Sequence, residues 1–287
     1  MAKDMTSGKP LKLIWNFTIP LLIGNLFQQL YNMADTFIVG RTIGVQALAA
    51  VGSTGSIVFL IIGFATGLTA GLAIPLAQRF GAKDYKGVKH SFYVSILISI
   101  AVAIVLTALS MIFCRQILEI MQTPSEIIDG AYDYLIVIFG GIFSSMAYNL
   151  LSNIFRSIGD AKTPLYFLVM ACVMNIILDI VFIAVFGMGV EGAGYATVLS
   201  QIFSAVACVV YIWKKIPVLR LTKEDLVATK RNIREHCRIS FPMAFQASII
   251  AIGTIMVQIA LNQLGPTSVA AHTAAQKIDQ LAILPMM

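Results

Sequence analysis

The sequence predicts an all-α, polytopic membrane protein: a six-helix transmembrane lobe followed by the opening helices of a second, parallel-repeat lobe. Three observations predict it. First, 58% of the 287 residues are hydrophobic and only 12% are charged, with a mean hydropathy of +0.86. Soluble globular chains carry about 25% charged residues, so too little polar surface is present here to dissolve a monomer. Second, the apolar residues fall into long blocks near 14–39, 47–78, 92–113, 132–155, 163–186, 192–213 and 239–264, with an eighth opening near 267. These runs of 22 to 32 residues suit tilted or bent spanning helices, which need roughly 20 residues each. Third, the charges sit between the blocks, on alternate sides.

The first run is retained as a helix, because it is too long for a signal peptide and no small-residue cleavage site follows it. Lys3, Lys9 and Lys12 precede it. Arg79, Lys83, Lys86 and Lys89 follow the second run, and Arg156 and Lys162 follow the fourth. Lys214, Lys215, Arg220, Lys223, Lys230, Arg231, Arg234 and Arg238 follow the sixth. Seventeen of the 20 basic residues therefore lie in the N-terminus and the even-numbered loops. The positive-inside rule places those segments in the cytoplasm of a cell-membrane protein. Topology thus accounts for the net charge of +6, and no nucleic-acid partner is needed.

The polar stretch 214–238 divides the chain into a lobe at 1–213 and a second unit at 239–287. After it, the sequence begins again. Ser240-Phe241-Pro242 opens the seventh run as Thr18-Ile19-Pro20 opens the first, and Gly265-Pro-Thr-Ser-Val-Ala-Ala271 resembles Gly44-Val-Gln-Ala-Leu-Ala-Ala50. Six helices per unit puts the first and seventh helices in the same orientation, the parallel repeat common among transporters. The chain stops at Leu284-Pro-Met-Met287, inside the eighth run. The expectation is one whole lobe and the start of another, with the remainder of the second lobe required for the full transporter.

Polar side chains in hydrocarbon are costly and face a neighbour or a cavity. The first run carries Asn25, Gln28, Gln29, Asn32, Asp35 and Thr36, which fall on one helical face. The fifth adds Asn175 and Asp179, four residues apart. The sixth adds Thr197, Ser200, Gln201 and Ser204. By the predicted topology, Asp35, Asn175, Asp179 and Thr197 all lie in the outer half of the membrane. An ionised Asp at mid-membrane costs roughly 2.5–3.5 kcal/mol. Two acids sharing a pocket gain from taking up a proton. With the Asn and Thr oxygens they offer a hard cation such as Na⁺ a second way to relieve the same charge. Either event supplies the change of charge that coupling to an ion gradient requires. Towards the cytoplasmic end of the fourth run, Asn149, Ser152 and Asn153 are candidates for the inner part of the same cavity, or for polar packing between helices. Gly63, Gly67 and Gly71 form a small-residue packing face.

Catalytic signatures are absent. Gly52-Ser-Thr-Gly-Ser56 is not GxSxG, no HExxH occurs, and the glycines at 189–194 match neither GxGxxG nor a P-loop. The four cysteines form no CxxC pair and suggest neither zinc nor disulfides. No enzyme and no cofactor are expected.

Several short motifs, taken in order, resemble one family. Pro20, the Gln28…Asp35 helix, Arg156-Ser-Ile-Gly-Asp-Ala-Lys-Thr-Pro164, Asn175-Ile-Ile-Leu-Asp179, Gly192-Ala-Gly-Tyr-Ala-Thr197 and Ala270-Ala-His-Thr-Ala-Ala-Gln-Lys-Ile-Asp279 look like multidrug and toxic compound extrusion (MATE) transporters. The resemblance implies two six-helix lobes around a central cavity. It also implies export of organic cations and other amphiphiles in exchange for H⁺ or Na⁺, by alternating access. By motif, Asp35, Asn175, Asp179 and Thr197 match the family's amino-terminal-lobe cation site, and Gln28 and Asn149 match cavity-lining positions; Asn32, Asn153 and Gln201 join them on spacing. The sequence departs from the family's twelve helices by ending in the eighth, and its seventh run contains no acid. Two rivals remain: a flippase for lipid-linked or polysaccharide precursors, which favours a basic cavity, and a non-transporting membrane scaffold with polar stripes as glue.

Overall fold

A computed structural model describes residues 8–283; Lys3 and the chain end from Leu284 lie outside them. The described residues form nine α-helices and no strands. They are α1 (Pro10–Thr42), α2 (Val45–Gly81), α3 (Tyr85–Ile120), α4 (Ile128–Gly140), α5 (Ile142–Ser157), α6 (Lys162–Asp179), α7 (Val190–Lys215), α8 (Lys230–Asn262) and α9 (Pro266–Ile283). Six are long and apolar enough to cross a membrane, and α4 with α5 is apolar enough to do so as a bent pair. The protein is an all-α, multi-pass membrane protein.

Local chemistry sets the boundaries. Pro10 opens α1, where its missing N–H costs nothing. The Asp84 side chain caps α3 by accepting from the Gly87 N–H at 2.9 Å, and Thr229 caps α8. Gly159, at φ +80°, turns the chain out of α5. Asp160 then accepts from both the N–H and the hydroxyl of Thr163, which gives the Gly159-Asp160 motif a turn-forming task.

The fourth apolar run reads as one helix but is two, bent by 49° at Gly140–Gly141. Its hydrophobic pattern continues through the bend, so periodicity does not reveal it. Two adjacent glycines weaken the helix there. A Cβ at Gly141 would also collide with Val198, so α7 crosses against bare backbone.

At the centre stands α2, which packs against α3, α4, α5, α8 and α9. Its glycine face meets α8. A Cβ at Gly67 would lie 2.5 Å from the Met243 carbonyl oxygen, and one at Gly71 would lie 2.5 Å from Ser240 Cα. Small residues thus let two backbones touch, as the spacing predicts.

The helix pair α8–α9 resembles α1–α2. Both α1 and α8 have 33 residues with an internal proline (Pro20 and Pro242), and both are followed by a glycine at positive φ, Gly44 at +119° and Gly265 at +87°. Between the pairs, the polar stretch 214–238 divides into the end of α7, two 3₁₀ turns (Pro217–Leu219 and Lys223–Asp225) and the start of α8. It is tied to the α2–α3 turn by Lys89 Nζ–Asp225 Oδ2 at 3.0 Å and Arg79–Glu235 at 2.9 Å. Arg79 also donates to the Gly87 carbonyl.

Candidate functional site

A cavity of about 620 Å³ opens between α1, α2, α4, α5 and α7 on one side and α8 and α9 on the other. From the α1 stripe, Gln28, Asn32, Asp35 and Thr36 line it; Asn25 and Gln29 do not. Thr197 and Gln201 of α7 line it as well, opposite Thr273 and Gln276 of α9. Among the described residues, no Lys or Arg side chain lines it.

Behind the α1–α7 wall, α6 ends with Asn175 and Asp179 fully buried. Their spacing of four puts both on one helical face. The Asn175 amide is best satisfied with its nitrogen donating to Asp179 Oδ2 at 3.1 Å and its oxygen accepting from the Thr197 N–H at 3.3 Å. Asp179 Oδ1 is buried without a hydrogen-bond donor. From α1, Tyr31 donates its hydroxyl to Thr197 Oγ1 at 3.1 Å, and Asp35, 8% exposed, is near enough to Asp179 for the two carboxylates to interact electrostatically. Three helices therefore bring Asp35, Asn175, Asp179 and Thr197 into one cluster.

The helix changes character at this point. Immediately after Asp179, α6 continues as a π-helical turn, Ile180–Val185. Such turns are uncommon and concentrate at functional sites, because the wider winding disturbs the backbone ladder. Here it begins at the buried acid.

Two members of the cluster escape the polar stripes. Tyr31 lies three residues after Gln28 and four before Asp35, on the same face, so the spacing includes it once aromatic phenols are counted. Tyr134 of α4 is within electrostatic reach of Tyr31, Asp35 and Asp179. Nothing in the apolar run around Tyr134 distinguishes it from a core aromatic.

Asn149 and Asn153 stand apart from this cavity. Asn149 donates to the Ser145 carbonyl one turn earlier at 2.9 Å, and Asn153 donates to Thr69 Oγ1 of α2 at 3.3 Å. Neither is among the cavity-lining residues, although Ser145 is. Among the described residues, no three His, Cys, Asp or Glu side chains come together as a metal site. A cation at the cluster would therefore meet two carboxylates and neutral oxygens.

Spanning helices around an acidic, amide-rich cavity define a polytopic membrane protein with a polar site inside its helix bundle. The chain belongs to the MatE family, whose family model matches residues 20–181. It is 30% identical to the probable multidrug resistance protein YpnP of Bacillus subtilis (strain 168), over 100% of this chain and 64% of that protein. It also resembles a multidrug resistance MATE family transporter of the MOP superfamily in two solved conformations. The inward-facing one has a TM-score of 0.84 at 28% identity, covering 91% of this chain and 59% of that one. The outward-facing one has a TM-score of 0.86 at 29% identity, covering 97% and 62%. The chain spans about three fifths of the length of these relatives.

Proposed function

We propose that this chain is the amino-terminal part of a secondary active antiporter that exports organic cations or amphiphilic drugs in exchange for H⁺ or Na⁺. In this reading, residues 1–213 form the amino-terminal lobe and 214–238 the cytoplasmic connector. Residues 239–287 open the second lobe, whose remainder completes the transporter. The N-terminus is cytoplasmic, on the distribution of basic residues.

One observation carries the reading: two carboxylates, Asp35 and Asp179, share a buried cluster joined through Thr197 to the wall of the large cavity. Two like charges held away from water repel, and one added H⁺ or Na⁺ relieves the repulsion. That change of charge alters which contacts α1 makes with α6 and α7. Because Gln28, Asn32, Asp35 and Thr36 of α1 also line the cavity, ion uptake and substrate occupancy act on the same helix. The drive available is about 1.4 kcal/mol per pH unit for one proton, plus about 2.3 kcal/mol per charge per 100 mV.

The cavity lining favours a cationic substrate over a phosphate-bearing lipid precursor, since among the described residues it offers a carboxylate and amides and no Lys or Arg. The likeness to transporters solved facing inward and outward supports alternating access for this chain's parent. The test is substrate efflux from proteoliposomes of the full-length protein, with pH and Na⁺ gradients imposed separately. Acceleration by one of them is expected. Efflux indifferent to both gradients contradicts the antiporter.

A further inference from the structure

A second cavity, of about 370 Å³, lies between α3, α5 and α7, apart from the polar one. On α5 it takes Phe143, Ala147 and Leu150, whereas the polar cavity takes Ser145 from the same helix. Its lining residues are apolar except for two, Ser99 and Arg220. Ala103 marks the end deepest along α3, and the turn Leu219–Arg220–Leu221 closes the other end. A slot of this form, apolar along its length and cationic at one mouth, suits an amphiphile with a long apolar chain and an anionic head.

The mouth carries more positive charge than the slot alone shows. Lys214, Lys215 and Lys223 flank Arg220 and are exposed like it. Of the nearby acids, Asp225 is engaged by Lys89 at 3.0 Å, which leaves Glu224 as the local counter-charge. Arg79 and Lys89 form ion pairs with carboxylates; Arg220 forms none among the described residues. One of its nitrogens donates to the Lys214 carbonyl at 3.1 Å, which fixes the side chain across the end of α7. A guanidinium has five N–H donors in a fork that matches phosphate, so most remain available. At the lip stands Trp213, 71% exposed, of the residue type that anchors helices at the level of lipid headgroups.

We propose that this groove holds an acyl chain of an anionic glycerophospholipid, with the lipid phosphate on Arg220. The lipid would link the end of α7 to α3 and α5 by filling the space between them. Basic pockets between helices at the membrane surface take anionic lipid heads for the same electrostatic reason. The site is separate from the transport cavity, so it does not depend on the antiporter reading.

The test uses the full-length protein, delipidated in detergent and titrated with phosphatidylglycerol or phosphatidylcholine of identical acyl chains, with bound lipid counted by native mass spectrometry. The wild type should retain phosphatidylglycerol about tenfold more tightly than phosphatidylcholine. Arg220→Gln should bring the two lipids close to parity, and Arg220→Lys should restore part of the difference. Ala147→Trp, which fills the slot without touching the mouth, should remove tight binding of phosphatidylglycerol. Equal retention of both lipids by the wild type overturns the proposal. So does undiminished phosphatidylglycerol binding in either Arg220→Gln or the slot-filled variant.

Discussion

Helices α1 and α2 are neighbours in sequence, similar in length at 33 and 37 residues, and each carries an internal proline, Pro20 and Pro75. They are held in opposite ways. In α1 only Pro20, Gly24, Asp35 and Val39 are buried, whereas α2 buries fifteen residues, including Leu68, Leu72 and Leu76 at 0% exposure. The α2 contacts are van der Waals and backbone-close, through Gly67 and Gly71 against α8. Helix α1 packs chiefly along α6, and in its C-terminal half the Tyr31 hydroxyl ties it to Thr197 of α7. Packing that cannot tolerate a methyl group resists displacement. A helix held by few apolar contacts and a polar cluster is the one that a change of charge can shift. On the proposed function, stability resides mainly on α2 and response mainly on α1.

Variants can break this division. Gly71→Leu places a branched side chain where even a Cβ sits 2.5 Å from Ser240 Cα. A loss of about 3 kcal/mol or more is expected, read as failure to purify a folded monomer or a collapse of thermal stability in detergent. Wild-type stability in that variant would remove α2 as the fixed element. Next in size is Asn262→Ala at the C-terminal end of α8. Asn262 donates to the Met121 carbonyl at 2.8 Å and accepts from Gln258 at 2.9 Å, all buried. Leaving that carbonyl without its donor should cost about 1–3 kcal/mol, visible as a lowered melting temperature.

On α1, Tyr31→Phe removes only the hydroxyl that reaches Thr197. Stability should fall by less than about 1.5 kcal/mol, while ion-driven efflux drops severalfold. A variant that loses stability yet transports normally would reverse the assignment of roles. The smallest effect concerns the connector. The Thr222 hydroxyl and N–H, with Lys89 beside them, hold the Asp225 carboxyl at about 2, below its ordinary 3.8. A lowered carboxyl contributes stability that is present above the ordinary value and lost as pH falls towards 2. Amide protection at 216–229 should therefore be constant above pH 5 and decline in acid, and Asp225→Asn should lower it above pH 5 and converge with the wild type as pH falls towards 2. Hydrogen exchange of the connector reads both.

Much of this arrangement is visible in the sequence because the bilayer makes few demands and makes them strictly. Apolar length marks spans, and basic loops alternate by side. The polar stripes on α1, α6 and α7 point to one another because they have no alternative in hydrocarbon. What stays hidden has physical reasons too. A polar face shows that a side chain avoids lipid without naming its neighbour: Asn153 meets Thr69 of α2 and Asn149 meets its own helix, both away from the cavity. Tyr31 and Tyr134 pass as apolar aromatics until their hydroxyls are placed. The bend at Gly140–Gly141 leaves the apolar pattern intact, so only the glycine pair signals it.

On the proposed function, the Asp35–Asp179 pair is the point where ion and substrate compete for α1. Gradient-driven efflux by Asp179→Asn in the full-length protein tests this directly, with substrate binding measured on the same preparation. Efflux reduced to passive leak under either gradient is expected, with substrate binding within a few-fold of the wild type. Efflux at the wild-type rate would contradict that role.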